Sequence, residues 1–146
     1  MGDFSNQIKK WGAKYERRLR AVGRGSVQEV VSIAQRPVGN GGRMRVDTGF
    51  LRASIQAGLG AMPRGPTTND GGYGGKRKYP VGAQIDGTPV PAVLLQWDPA
   101  KPIPLYIGWT ANYARPREYK DGFLRGAVQK WPTIVRREAT RARKIV

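Results

Sequence analysis

The chain has 146 residues, 39% of them hydrophobic, with 20 Gly and 11 Pro, which bounds it to one domain with a modest core and long connections. Lys and Arg total 26 against 10 Asp and Glu, a formal net charge of +16; that self-repulsion calls for a polyanionic partner or acidic neighbours in an assembly. With no Cys and no His, disulfides, conventional zinc sites and Ser-His-Asp catalysis are excluded.

The first segment, residues 1–36, reads as a long helix. Phe4, Ile8, Trp11, Tyr15, Leu19 and Val22 recur at three- and four-residue steps, and Ser26, Val30, Ile33 and Ala34 continue the stripe. Lys9, Lys10, Lys14, Arg17, Arg18 and Arg20 lie mostly off it. Asp3 or Ser5 can serve as N-cap. Gly23 and Gly25 weaken the middle by roughly 1 kcal/mol each, which leaves room for a kink or break there. Pro37 and "PVGNGG" stop the helix. The opening "MGDFSNQIKKWG" lacks the apolar core of a signal peptide. No apolar run approaches the roughly 18 residues that span a bilayer. The expectation is a soluble protein with no membrane association, made in the cytoplasm.

"RVDTGFLRASI" follows. Asp47 or Thr48 can cap a short helix whose apolar side holds Phe50, Leu51 and Ile55. An aspartic-protease reading of Asp-Thr-Gly fails, because that chemistry needs two carboxylates sharing a proton within two lobes. Residues 55–61, "IQAGLGA", read as a short strand. Residues 62–87 are rich in Gly, Pro and polar side chains and read as a flexible loop or arm that orders against a neighbour or a nucleic-acid backbone. Lys76, Arg77 and Lys78 in that arm are candidate contacts to a partner or DNA. "GGYGGKRK" lacks the Gly-Lys-Ser/Thr ending of a phosphate loop.

"VPAVLLQW" at 90–97 and "LYIGW" at 105–109, joined by "DPAKPIP", read as a hairpin of an antiparallel sheet. Trp97 and Trp109 are expected as core or interface anchors; an aromatic stacking platform would need rings at alternating positions of one strand. Thr110 or Asn112 can cap a brief helical turn. The last helix, 121–144, is capped by Asp121 and has Leu124, Ala127, Val128, Trp131, Ile134, Val135 and Ala139 on its apolar face. Pro132 should kink or restart it. Arg136, Arg137, Arg141 and Arg143 form a basic end beyond what a helix dipole requires and are further candidate contacts. The order of elements predicts an α+β fold: a small antiparallel sheet packed by the long N-terminal helix and the C-terminal helix, with one long Gly/Pro-rich loop, as a single domain over 1–146.

Three features occur together and in order: "VDTGFLRASI" after a long helix, "YIGWTANYARPREY", and "GFLRGAVQKW" opening the last helix. In this the chain resembles the small neck or tail-completion proteins of long-tailed bacteriophages, a family of the head–tail junction. Its first signature is matched by Asp47, Thr48, Gly49, Leu51 and Arg52, with Arg45 where a proline is common. Its second is matched by Tyr113, Ala114 and Glu118, with Arg117 in place of a hydrophobic residue and "YKDG" in place of a longer loop. The resemblance implies a structural virion protein with no catalysis and no cofactor. It would form a ring around the DNA channel, of six copies or alternatively twelve. Its partners would be neighbouring head-connector and tail proteins and the phage DNA. Two other readings remain open: a tail terminator ring, and a free basic nucleic-acid-binding protein, though the chain has no recognition motif for the latter.

Overall fold

The computed structural model describes residues 2–63, 65, 69, 78–80, 83–84 and 90–145. In chain order they form α1 (Gly2–Ala34), a 3-10 turn at Val38–Asn40, α2 (Phe50–Ala53), β1 (Ile55–Leu59), α3 (Val90–Gln96), β2 (Leu105–Trp109), α4 (Ala114–Asp121), α5 (Phe123–Val128) and α6 (Trp131–Ala142). The architecture is α+β: a two-stranded antiparallel sheet packed among helices.

The helix α1 runs unbroken through its glycines for 33 residues. No break forms at Gly23 and Gly25, where both glycines face close neighbours. A Cβ on Gly23 would lie 3.0 Å from Pro99 Cγ, and one on Gly25 would lie 2.7 Å from a Glu138 carboxylate oxygen. Contact with the 97–99 turn and with α6 outweighs the propensity cost at these positions.

Residues 90–97 are not a strand, and the expected hairpin does not form. Val90, Val93 and Leu94 are the buried positions of α3, a spacing of three and four that belongs to a helix. Pro91 sits in the first turn, where its missing N–H costs nothing. The strand β2 instead pairs with β1, in a register running from Ile55 opposite Trp109 to Leu59 opposite Leu105.

The C-terminal segment also differs from one helix over 121–144. Asp121 ends α4, and Gly122 turns the chain in the left-handed region at φ 64°. The N-terminus of α5 is capped by Glu118, whose two carboxylate oxygens accept from the backbone N–H of Leu124 at 2.8 Å and of Arg125 at 2.9 Å. The helix then restarts as expected, with Pro132 in the first turn of α6. The brief turn predicted after β2 is a full helix, α4, with Tyr113 at its N-cap position and no side-chain cap. Thr110 donates instead to the Ser54 carbonyl at 3.1 Å, fastening the end of β2 to α2.

Two apolar clusters make the core. One gathers Ala34, Met44, Phe50, Leu51, Ala111, Phe123 and Ala127; the other gathers Ile55, Ala57, Val90 and Val93. Trp109 packs against both. Its ring meets Phe123 edge-on at 5.2 Å, and its Nε1 donates to Gln35 at 3.2 Å. Trp109 is thus the core anchor expected of it.

Candidate functional site

The two signature segments, remote in sequence, meet around one ring. Phe50, at the start of α2, lies between Tyr79 at 5.8 Å and Tyr113 at 5.9 Å, both tilted against it. The turn that delivers Phe50 depends on Gly49, which has φ 83°. A Cβ there would stand 2.1 Å from the Tyr79 carbonyl oxygen, so the position tolerates neither the steric bulk nor the backbone strain of another residue. Tyr79 N–H donates to the Thr48 carbonyl at 2.6 Å and pins the passing segment to this turn. Residues 78–80 are therefore not a free arm; the remaining positions of the predicted loop, Lys76 and Arg77 among them, lie largely outside the described residues.

The N-cap position of α2 is Gly49, with no side-chain cap, rather than the predicted Asp47 or Thr48; Thr48, one residue earlier, has its hydroxyl accepting from Phe50 N–H at 3.3 Å. Asp47 does not share that role among the described residues; its carboxylate is exposed at the rim, close enough to act on the Tyr113 phenol. Burial pushes the Tyr113 hydroxyl above its ordinary pKa, hydrogen bonds from the Leu51 backbone and Thr48 oppose that, and the Asp47 charge adds to it. Leu51 is buried in the core, and Ala114 packs against the same cluster. Glu118 is spent on the α5 cap.

Outside this hub, Arg45, Asp47, Thr48, Arg52, Tyr113 and Arg117 line a recess of about 520 Å³ between α2 and α4. Asp121 holds two of its arginines in place, with Arg117 at 3.3 Å and the largely exposed Arg45 at 3.5 Å. The recess thus presents guanidinium, carboxylate and phenol groups together, with Arg45 and Arg117 already paired to Asp121. Sequence reasoning missed Tyr79, which lies in a Gly/Pro-rich run; it named Arg45, Arg52 and Arg117, but not that they share one recess.

The basic residues divide into structural and outward ones. From α1, Arg24 donates to the Leu95 and Trp97 carbonyls at 2.8 and 2.9 Å, and Arg18 donates to those of Arg143 and Ile145 at 3.0 and 3.2 Å. These guanidiniums cap the C-terminal ends of α3 and α6. Arg20 pairs with Asp98 and Glu16, each at 3.2 Å. The hydrogen bond to Arg20, aided by the Ala100 N–H, holds the Asp98 carboxyl below its usual range. Of the predicted C-terminal contacts, Arg137 pairs with Glu29 at 3.2 Å and Arg141 with Glu138 at 3.3 Å. Arg136 and Arg143 are exposed on α6, and Lys78 is exposed beside Tyr79. The tertiary structure therefore puts part of the charge excess to work inside the fold.

The first half of α1 is uncovered. Phe4, Ile8, Trp11 and Tyr15 are 65%, 49%, 66% and 67% exposed. From Arg18 onward the helix is partly buried, largely against α6. No helix among the described residues is long and apolar enough to cross a membrane. No family model, curated protein or solved structure matches the chain.

Proposed function

We propose that this chain is a structural virion protein of the head–tail junction of a tailed phage, one subunit of a ring around the DNA channel that joins the head connector to the tail. The observation that carries this reading is the convergence of the two signature segments: Thr48 and Gly49 on one side and Tyr113 and Ala114 on the other meet at Phe50 and its cluster, with Asp47 and Tyr113 lining the same recess. Residues that resemble one family in two separate stretches thus serve one structural unit. The recess beside that unit and the open face of α1 supply surfaces that an assembly subunit needs. The net charge of +16 suits a position beside DNA and acidic neighbours. A channel through which DNA slides must not grip phosphates tightly, which agrees with Arg18 and Arg24 of α1 being turned to backbone carbonyls at helix ends.

The test is made on particles. Without the protein, filled heads and complete tails should accumulate unjoined, and electron microscopy of tagged particles should place it as a ring between them. Tails of uncontrolled length would assign it instead as a tail terminator. Absence from particles together with tight duplex-DNA binding at physiological salt would identify a free DNA-binding protein and overturn the proposal.

A further inference from the structure

We infer that the first half of α1 docks on a second copy of this chain, its Phe4, Ile8, Trp11 and Tyr15 stripe entering an apolar groove between the second half of α1, β2 and the α5–α6 corner. The inference rests on the ring reading and names the surface through which copies would meet. Both halves of the contact are present on one chain. The groove, about 200 Å³, is lined almost wholly by apolar side chains, among them Val27, Val30, Leu105, Ile107, Val128 and Trp131. Val128 and Trp131 at its rim are 51% and 40% exposed. Both the stripe and the groove therefore present apolar surface to solvent where a monomer has no use for it.

A chain cannot satisfy itself. Stripe and groove lie on the same unbroken helix, with centres separated by about 29 Å at 1.5 Å per residue. The contact is therefore between copies. It is also heterologous, because the two surfaces differ, and such contacts close into rings or run on as filaments. Charge does not forbid it. Lys9, Lys10 and Arg17 fall more than about 100° of helical rotation from the centre of the stripe. A partner chosen for acidity would meet that basic face rather than the stripe, whereas an apolar groove fits the stripe itself. The stripe also continues the α1 face that α6 covers from Arg18 on, where α6 ends with its last carbonyls bonded to that arginine. With about two-thirds of three aromatic rings in solvent, the stripe offers on the order of 400 Å² of surface. That is about half the ~800 Å² each partner gives to a stable interface. Each copy uses both surfaces in a closed ring, so association should be weak for pairs and strong on closure.

The chain has no cysteine, which makes cross-linking clean. The double variant Trp11→Cys with Val128→Cys, treated with a short bis-maleimide, should give a ladder of trimers and larger species, and neither single variant should. In sedimentation, Trp11→Gln with Tyr15→Gln should remain folded by circular dichroism yet lose self-association, as should Val128→Lys. Their equimolar mixture should regain only weak, concentration-dependent dimerisation and form nothing larger, since only one intact stripe and one intact groove meet. If the wild type assembles and these variants assemble equally, without a ladder, the inference is overturned while the ring reading stands. If the wild type stays monomeric and its stripe is covered only on adding head or tail proteins, self-docking is again overturned and the junction role survives. If the ladder forms but the protein is absent from particles, the docking stands and the junction reading falls.

Discussion

Replacing Gly49 by Ala tests the hub most directly. At φ 83° a non-glycine residue costs about 1–2 kcal/mol in backbone strain alone. The added Cβ would stand 2.1 Å from the Tyr79 carbonyl oxygen, so the 78–80 segment must move away. That movement breaks the hydrogen bond from Tyr79 N–H to Thr48, worth about 1 kcal/mol, and opens the Tyr79–Phe50 ring contact, worth about 0.5–1 kcal/mol. The expected loss is about 3 kcal/mol, which for a domain of this size lowers Tm by roughly 10 °C. Gly60→Ala is the internal control. Gly60 has φ 74° and its Cβ would meet only Ile103 at an ordinary 3.8 Å, so it should lose the strain component alone, about 1–2 kcal/mol. Thermal and urea unfolding followed by far-ultraviolet circular dichroism measures both. If Gly49→Ala is no more destabilising than Gly60→Ala, the Tyr79 contact does not hold the turn and the reasoning fails.

Other changes probe separate parts. Tyr113→Phe should cost about 1 kcal/mol at neutral pH by removing hydroxyl hydrogen bonds. The Tyr113 pKa in the fold is raised above its ordinary 10.0. The folded state therefore holds the proton more tightly, and its stabilising contribution is complete below pH 10 and is lost as pH rises through the folded value. Alkaline unfolding should show that decline in the wild type and a shallower one in Tyr113→Phe. Glu118→Ala should cost about 1–2 kcal/mol by leaving the α5 N-terminus uncapped, measured by urea unfolding, with Glu118→Gln between it and the wild type. Ser26→Ala should stabilise by about 0.5–1 kcal/mol, because the buried Ser26 hydroxyl has no hydrogen-bond partner among the described residues and Ala is the better helix former; a lower Tm would refute this. Replacing Arg136 and Arg143 with Gln should leave stability within about 0.5 kcal/mol and reduce the salt dependence of any DNA binding. The pair Arg137→Gln and Arg141→Gln should cost up to about 1 kcal/mol each, as partly exposed ion pairs do.

The long helix, the Gly49 turn, the short strand after it and the Pro132 restart were legible because each is written locally, in periodicity or in a residue with restricted backbone freedom. Residues 90–97 were misread because a run of Val and Leu fits a buried strand as well as a helix. The deciding cues were the three-and-four spacing of Val90, Val93 and Leu94 and a proline at the second position of the run. The β1–β2 pairing joins segments about 50 residues apart, and no local pattern specifies such a partner. Glu118 illustrates the same limit. Caps are sought next to the helix they serve, yet this carboxylate reaches across the Gly122 turn to Leu124 and Arg125. Of the candidate site, the Asp-Thr-Gly and Tyr-Ala segments could be named in advance. That they share Phe50, with Tyr79 as a third party, is a product of tertiary folding.

The uncovered half of α1 also has a mechanical consequence. The helix is unbroken from Gly2 to Ala34, and the Arg18 bonds to the end of α6 act as a pivot near its midpoint. Beyond that pivot, about 24 Å of stiff rod projects toward Gly2. A tilt of about 5° there moves the tip by about 2 Å, the size of the helix shifts that switch subunit interfaces. Small rotations at that pivot are thus geared up into larger displacements of the Phe4–Tyr15 stripe.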